Sequence, residues 1–200
     1  MKWRTIVATA TALCWLCYGY IDIPVAEYIH TNTTPTLQGV GAFLDELGKS
    51  HWLLLSNAVI MLAAWFTQHR RHVLRSHGAL FLSVAISGLL ANVIKVSVNR
   101  ARPPLLFEHG QYGFAPLTFQ TDFLHTSFPS GHATTGLALA VAGSMVAPRF
   151  RWLFWSVGIA IALGRVLYNV HYVSDVLAGA ALGAATAVVV TRKLQRRYGM

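Results

Sequence analysis

The sequence predicts an all-α membrane protein with six transmembrane helices in one bundle, and three observations predict it. Of 200 residues, 54% are hydrophobic and only 12% are charged, about half the ~25% charge of an average soluble domain. The apolar residues gather into six stretches, near 5–20, 52–67, 78–94, 133–147, 152–163 and 176–190. Finally, the basic residues are divided unequally between the alternating loops. At this length residues 1–200 are expected to form a single domain.

Each stretch is close to, or slightly short of, the ~20 residues that span hydrocarbon as a helix. The first begins after Lys2 and Arg4, as a secretory signal would, but runs on through Leu16, Tyr18 and Tyr20 with no small-x-small cleavage site. It is expected to be an uncleaved anchor. Cys14 and Cys17 lie within it without a second pair, and read as small apolar side chains rather than as a metal or redox site. Residues 21–51 are an acidic connection in which Thr31-Asn32-Thr33-Thr34-Pro35 marks a turn or helix start. Residues 68–77 read as a short basic loop whose three histidines face solvent or headgroups. Residues 99–131 form the longest connection, and Pro103, Pro104, Gly110, Gly113 and Pro116 exclude a long helix there. Its Phe and Leu content suggests a lid dipping into the interface. The fifth stretch is the shortest, lengthened by Phe150 and by residues 166–168. In the sixth, Gly179-x-x-x-Gly183 allows close helix contact within one bundle and leaves the oligomeric state open.

With the amino terminus inside, the cytoplasmic face collects Lys2, Arg4, Arg70, Arg71, Arg75, Arg149, Arg151, Arg192, Lys193, Arg196 and Arg197. The opposite face keeps Lys49, Lys95, Arg100, Arg102 and Arg165 with all seven acidic residues. This positive-inside bias places both termini in the cytoplasm, and the expected location is a bacterial inner (plasma) membrane. A net charge of +9 does not imply nucleic acid, because the cations flank apolar runs and make no continuous basic face.

Three polar clusters interrupt this pattern: Lys95-x6-Arg102-Pro103, Pro129-Ser130-Gly131-His132, and Arg165-x5-His171-x3-Asp175. Ionisable groups near lipid are costly and usually functional. If residues 171–175 are helical, His171 and Asp175 share a face. The carboxylate can then fix one imidazole nitrogen and free the other to attack, although the pair taken alone reads equally well as a surface pair at a helix start. Ser130 and Gly131 stand where a helix amino terminus would present amides to an anion. His132 beside them could donate a proton to a leaving oxygen; the plainer alternative is that Ser130 merely caps the helix. Lys95, Arg102 and Arg165 supply positive charge for a phosphate, with snorkelling as the alternative for each.

In this order and spacing the clusters resemble the type 2 phosphatidic acid phosphatase superfamily, whose pattern is K-x6-R-P, P-S-G-H and S-R-x5-H-x3-D. The motifs cover residues 95–175, and Gly164 is the one departure, standing where the family has serine. The resemblance implies His171 as nucleophile, Asp175 as its orienting partner and His132 as general acid. It assigns phosphate binding to Lys95, Arg102, Ser130, Gly131 and Arg165, and implies no metal or other cofactor. The implied activity is metal-independent hydrolysis of a terminal phosphate from a lipid phosphate or pyrophosphate at the outer membrane face, through a phosphohistidine. Candidate substrates are phosphatidylglycerophosphate, undecaprenyl pyrophosphate, phosphatidic acid and lipid A phosphate, with a small headgroup or an isoprenoid pyrophosphate favoured by the short outer loops. Alternatives are a lipid-to-lipid phosphotransferase on the same scaffold, a non-enzymatic lipid carrier and a vanadate-dependent haloperoxidase. Asp122, Glu108, His109 and His125 share the outer loop and could tune headgroup choice.

Overall fold

The computed structural model describes residues 3–198, so Lys2, one of the expected inner-face cations, lies outside the described residues. Nine α-helices are found there: α1 (Trp3–Tyr20), α2 (Asp22–Asn32), α3 (Pro35–Leu47), α4 (Ser50–Ala64), α5 (Arg70–Val98), α6 (Pro103–His109), α7 (Gly131–Val146), α8 (Arg151–Leu167) and α9 (Val173–Tyr198). No strand is present among the described residues, only isolated bridges from Arg100 to Phe114 and Thr126. Each apolar stretch coincides with a helix, although 52–67 runs three residues past the end of α4 and 133–147 one residue past α7. Three segments are long and apolar enough to cross a membrane alone: Arg70–Val98, Pro148–Leu167 and Val173–Tyr198. A fourth span arises if α1 and α2, bent by 60° at Ile21, count as one. At 15 and 16 residues, α4 and α7 are shorter than a full hydrocarbon crossing.

Local chemistry sets the boundaries. Thr34 caps α3 by accepting a hydrogen bond from Leu37 N (3.2 Å), Pro35 occupies the first turn and Gly48 follows the last. The expected basic loop at 68–77 is corrected, because α5 starts at Arg70. Arg, Leu and His carry no helix-breaking feature, so the apolar helix extends through them. Nor is His77 simply solvated: its Nδ1 lies 2.8 Å from Asn57 Oδ1 on α4. Between α5 and α7, residues 99–130, only the seven-residue α6 is helical. Asn99 pins the rest, donating to Gln120 O (2.7 Å) and accepting from Gln120 N and Thr118 Oγ1 (both 3.0 Å).

Helix α7 is the central element, buried continuously from Ala133 to Gly143 and surrounded by α5, α8 and α9. Helix α1 packs on α9, α4 on α5, and α3 on α8. Small residues permit these approaches: a Cβ on Gly179 or Gly183 would collide with Ser130 O or Thr134 O. The Gly179–Gly183 pair therefore seats α9 on α7 within the bundle. Because the helices alternate in direction, the end of α5, the start of α7, the end of α8 and the start of α9 meet at one end. All three polar clusters lie there.

Candidate active site

His171 is not helical: α9 begins at Val173, and Tyr172 is the residue that caps it. Asp175, in the first turn, accepts a hydrogen bond from Tyr172 N at Oδ2 (2.9 Å). This is the carboxylate half of a capping box, so the capping role and the orienting role fall on one side chain. The same Oδ2 accepts from Ser127 Oγ (2.6 Å) and lies 3.4 Å from His171 Nδ1. The other imidazole nitrogen, Nε2, is 3.2 Å from Arg102 Nη1. A guanidinium can only donate, so Nε2 is the acceptor and the ring proton sits on Nδ1, toward Asp175. His171 is 3% exposed. Burial, reinforced by Arg102, Lys95 and Arg165, holds its pKa well below the ordinary histidine value, leaving the imidazole neutral.

The predicted cations converge around it. Arg102, the residue before α6, also donates to Val170 O (3.0 Å) and Thr126 O (3.2 Å), and its Cζ sits 3.9 Å from the Phe123 ring centroid. Burial lowers the Arg102 pKa to about 10, which keeps it charged at neutral pH. Lys95, in the last turn of α5, donates to Thr126 O (2.8 Å). Arg165, in the last turn of α8, is 3% exposed. Among the described residues the buried Nε atoms of Arg102 and Arg165 have no hydrogen-bond partner, an arrangement suited to receiving anion oxygens. Ser130 caps α7 by accepting from Ala133 N (3.4 Å), while its own N–H donates to Asp175 O (3.0 Å). A Cβ on Gly131 would meet only Lys95 Cε, at 3.9 Å, so glycine keeps the helix amino terminus open toward the lysine.

Three features were not read from the sequence. Arg100 lies behind the His171–Asp175 pair, donating to Asp175 Oδ1 (2.5 Å), Ser174 Oγ (2.7 Å) and Asp22 Oδ2 (2.8 Å). Rings of Tyr18, Tyr112, Phe114 and Tyr172 enclose it, with centroids 4.5–5.4 Å from Cζ. The paired carboxylates outweigh its desolvation and raise its pKa. Ser127, two residues before the second cluster, joins His171 to Asp175. Asp45 on α3 pairs with Arg165 Nη1 and lies 3.2 Å from His132 Nε2. The readable signal for Asp22 and Arg100 was charge beside apolar runs without an opposite charge within four positions; Asp45, with Lys49 at helical spacing, reads as an ordinary surface pair.

Gly164 also gains a physical account. A Cβ there would fall 2.6 Å from Leu44 Cβ, so serine has no room while α3 lies where it does. The outer-loop residues are peripheral: Asp122 and His125 pair with each other at 2.9 Å on an exposed turn, and Glu108 and His109 are exposed on α6. An apolar groove of about 460 Å³ opens between α1, α5 and α9, lined by Cys14, Tyr18, Ile94, Phe128 and Leu182. Among the described residues no group of three His, Cys, Asp or Glu side chains could hold a metal ion.

Residues 76–198 match the model of the PAP2 superfamily. The chain belongs to that superfamily. It is 31% identical to a lipid A 1-phosphatase from Rhizobium johnstonii over 96% of this chain and 82% of the relative. Identity to an undecaprenyl-diphosphatase from Sulfolobus acidocaldarius is 27%, over 82% of this chain and 73% of the relative. The crystal structure of a PAP2-type phosphatidylglycerolphosphate phosphatase from Bacillus subtilis shares the fold, with a TM-score of 0.69 and 21% identity over 98% of this chain and 96% of that one. Membership, together with the apolar helices, makes the chain an integral membrane phosphatase of this superfamily.

Proposed function

We propose that this PAP2 phosphatase removes the terminal phosphate from a membrane-anchored phosphate or pyrophosphate through a phosphohistidine on His171. The observation that carries the reading is the polarity of His171: Nδ1 faces Asp175 Oδ2 while Nε2 faces the cation cluster. Lys95, Arg102 and Arg165, with the amide end of α7 at Ser130 and Gly131, hold the phosphoryl oxygens. Nε2 attacks phosphorus in line, and the guanidinium now facing it shifts to a phosphoryl oxygen. As the bond from phosphorus to the lipid oxygen breaks, His132 gives that oxygen its proton. Water then attacks the phosphohistidine, His132 takes the water's proton, and orthophosphate leaves with Nε2 regenerated. Charge-assisted donors in a site poor in water favour the crowded phosphoryl transition state.

In this reading the six helices that hold the apolar stretches all cross the membrane, within one domain spanning residues 1–200. Both termini face the cytoplasm and the active end faces outward, on the support of the positive-inside charge pattern. The apolar groove between α1, α5 and α9 gives a lipid chain somewhere to lie while its headgroup reaches the cluster. We rank lipid A 1-phosphate first among candidate substrates, supported by the likeness to the Rhizobium relative over nearly the whole chain, and undecaprenyl pyrophosphate second, ahead of phosphatidylglycerophosphate and phosphatidic acid. This revises the preference for small headgroups drawn from loop length, because a laterally open site leaves a large headgroup outside.

The test is a phosphate-release panel of these four lipids at equal surface concentration with purified protein in detergent, run beside His171→Ala. Activity on at least one lipid, an acid-labile phosphoenzyme in the wild type and loss of both in the variant are expected. Near-normal turnover by His171→Ala would overturn the reading.

A further inference from the structure

Resting on that reading, one side chain outside all three clusters engages two of their members. Asp45, in the last turns of α3, accepts a hydrogen bond from Arg165 Nη1, and its carboxylate lies 3.2 Å from His132 Nε2, its own carbonyl oxygen 3.0 Å. Nε2 is the nitrogen that would deliver a proton to the leaving group, and Arg165 is a phosphate ligand. The carboxylate therefore touches the groups that a phosphate would touch. Its neighbour Glu46 does not: that side chain is exposed and held by Lys49 Nζ (2.5 Å) and Trp52 Nε1 (2.8 Å).

The packing is built to bring Asp45 in. Glycines remove the side chains that would hold α3 away from α8. A Cβ at Gly164 would sit 2.6 Å from Leu44, at Gly48 2.7 Å from His132 Cδ2, and at Gly41 3.0 Å from Tyr168. Gly164 is also the position where the chain departs from the family pattern, so the missing serine and the approach of α3 that carries Asp45 share one packing contact.

We propose that Asp45 is an internal competitor for the phosphate site, exchanged for the phosphoryl group when substrate binds and returning to displace orthophosphate after hydrolysis. A phosphate dianion reaching Lys95, Arg102 and Arg165 together gains more Coulomb energy than a carboxylate on Arg165 and His132, so binding proceeds. Each event carries the cost of breaking the internal pair. The apparent affinity for any phosphate falls by the fraction of molecules in which the pair is open. Uniform weakening of this kind raises KM and speeds release of the product anion from a buried cation cluster.

Orthophosphate binding to full-length protein in detergent tests this by titration calorimetry, which needs no turnover, with Glu46→Gln as the neighbour control. Asp45→Asn is expected to tighten orthophosphate by about tenfold or more, and KM for the lipid substrate to fall with it, while Glu46→Gln binds as the wild type does. Asp45→Ser, which removes the charge by a different side chain, is expected to do the same. Unchanged orthophosphate affinity in both Asp45 variants would overturn the proposal. So would a drop in turnover with a shifted pH profile at constant affinity, the signature of a carboxylate that only positions His132. Failure of wild type and variants alike to bind orthophosphate would remove the phosphate site itself, and the proposed function with it.

Discussion

Arg100 joins Asp175 to Asp22 across 75 and 78 positions of sequence, with no side-chain exposure on any of the three. It ties the start of α2 to the first turn of α9 and holds the carboxylate that lies 3.4 Å from His171 Nδ1. Removing one partner of a buried ionic group leaves uncompensated charge and costs about 3–5 kcal/mol. Arg100→Met is expected to lower the unfolding midpoint of the detergent-solubilised protein sharply, with Asp22→Asn milder because Arg100 keeps Asp175. Equal stability of Arg100→Met and wild type would contradict a structural role for the triad.

The pH dependence follows from His171. In the proposed mechanism its imidazole attacks only when neutral, so the rate is expected to fall as pH drops through its pKa. Burial, and next the cations around it, depress that pKa, so the acid limb of kcat/KM is expected below the ordinary histidine value of ~6.5. The limb belongs to a coupled site rather than to one residue. A profile whose acid limb lies above 7, with chemistry rate-limiting, would disagree with a neutral, desolvated His171.

The three clusters were legible because each gathers its residues within a few positions, on chain segments whose helix ends were also readable from apolar runs. The partners that complete the site were not. Asp45 reaches Arg165 across 120 positions and Asp22 reaches Arg100 across 78, distances that only the packing of α3 on α8 and α2 beneath the outer loop can close. Arg100 was visible as a cation on the outer side, but nothing local marked it as buried. The start of α5 was misread because clustered Arg and His look like a loop by polarity, while helix propensity at those positions is ordinary.

His132 and His171 are expected to separate by leaving group. In the proposed mechanism the departing oxygen gains no proton without His132, and general acid catalysis is worth about 10²–10⁴-fold. His132→Ala should therefore lose that factor on lipid monoesters but much less on an aryl phosphate whose leaving group is already acidic, whereas His171→Ala loses both. Rates on a monoester and on p-nitrophenyl phosphate, compared across the two variants, make the distinction. An equal loss on both substrates in His132→Ala would remove its role as acid.

Gly164 offers a test of how α3 is held. Its position is buried, and a Cβ there would stand 2.6 Å from Leu44 Cβ and 3.0 Å from Leu44 Cδ1. The side chain of Leu44 can rotate but its Cβ cannot, so the helix itself must move. Overpacking of this kind costs about 1–3 kcal/mol. Gly164→Ala is expected to lower the unfolding midpoint, and Leu44→Gly in the same chain to recover part of that loss relative to Leu44→Gly alone, because only glycine removes the Cβ that stands in the way. The double-mutant cycle measures the coupling between the two positions. Additive effects would mean that α3 does not bear on α8 at this point, and that the family serine is absent here for some reason other than space.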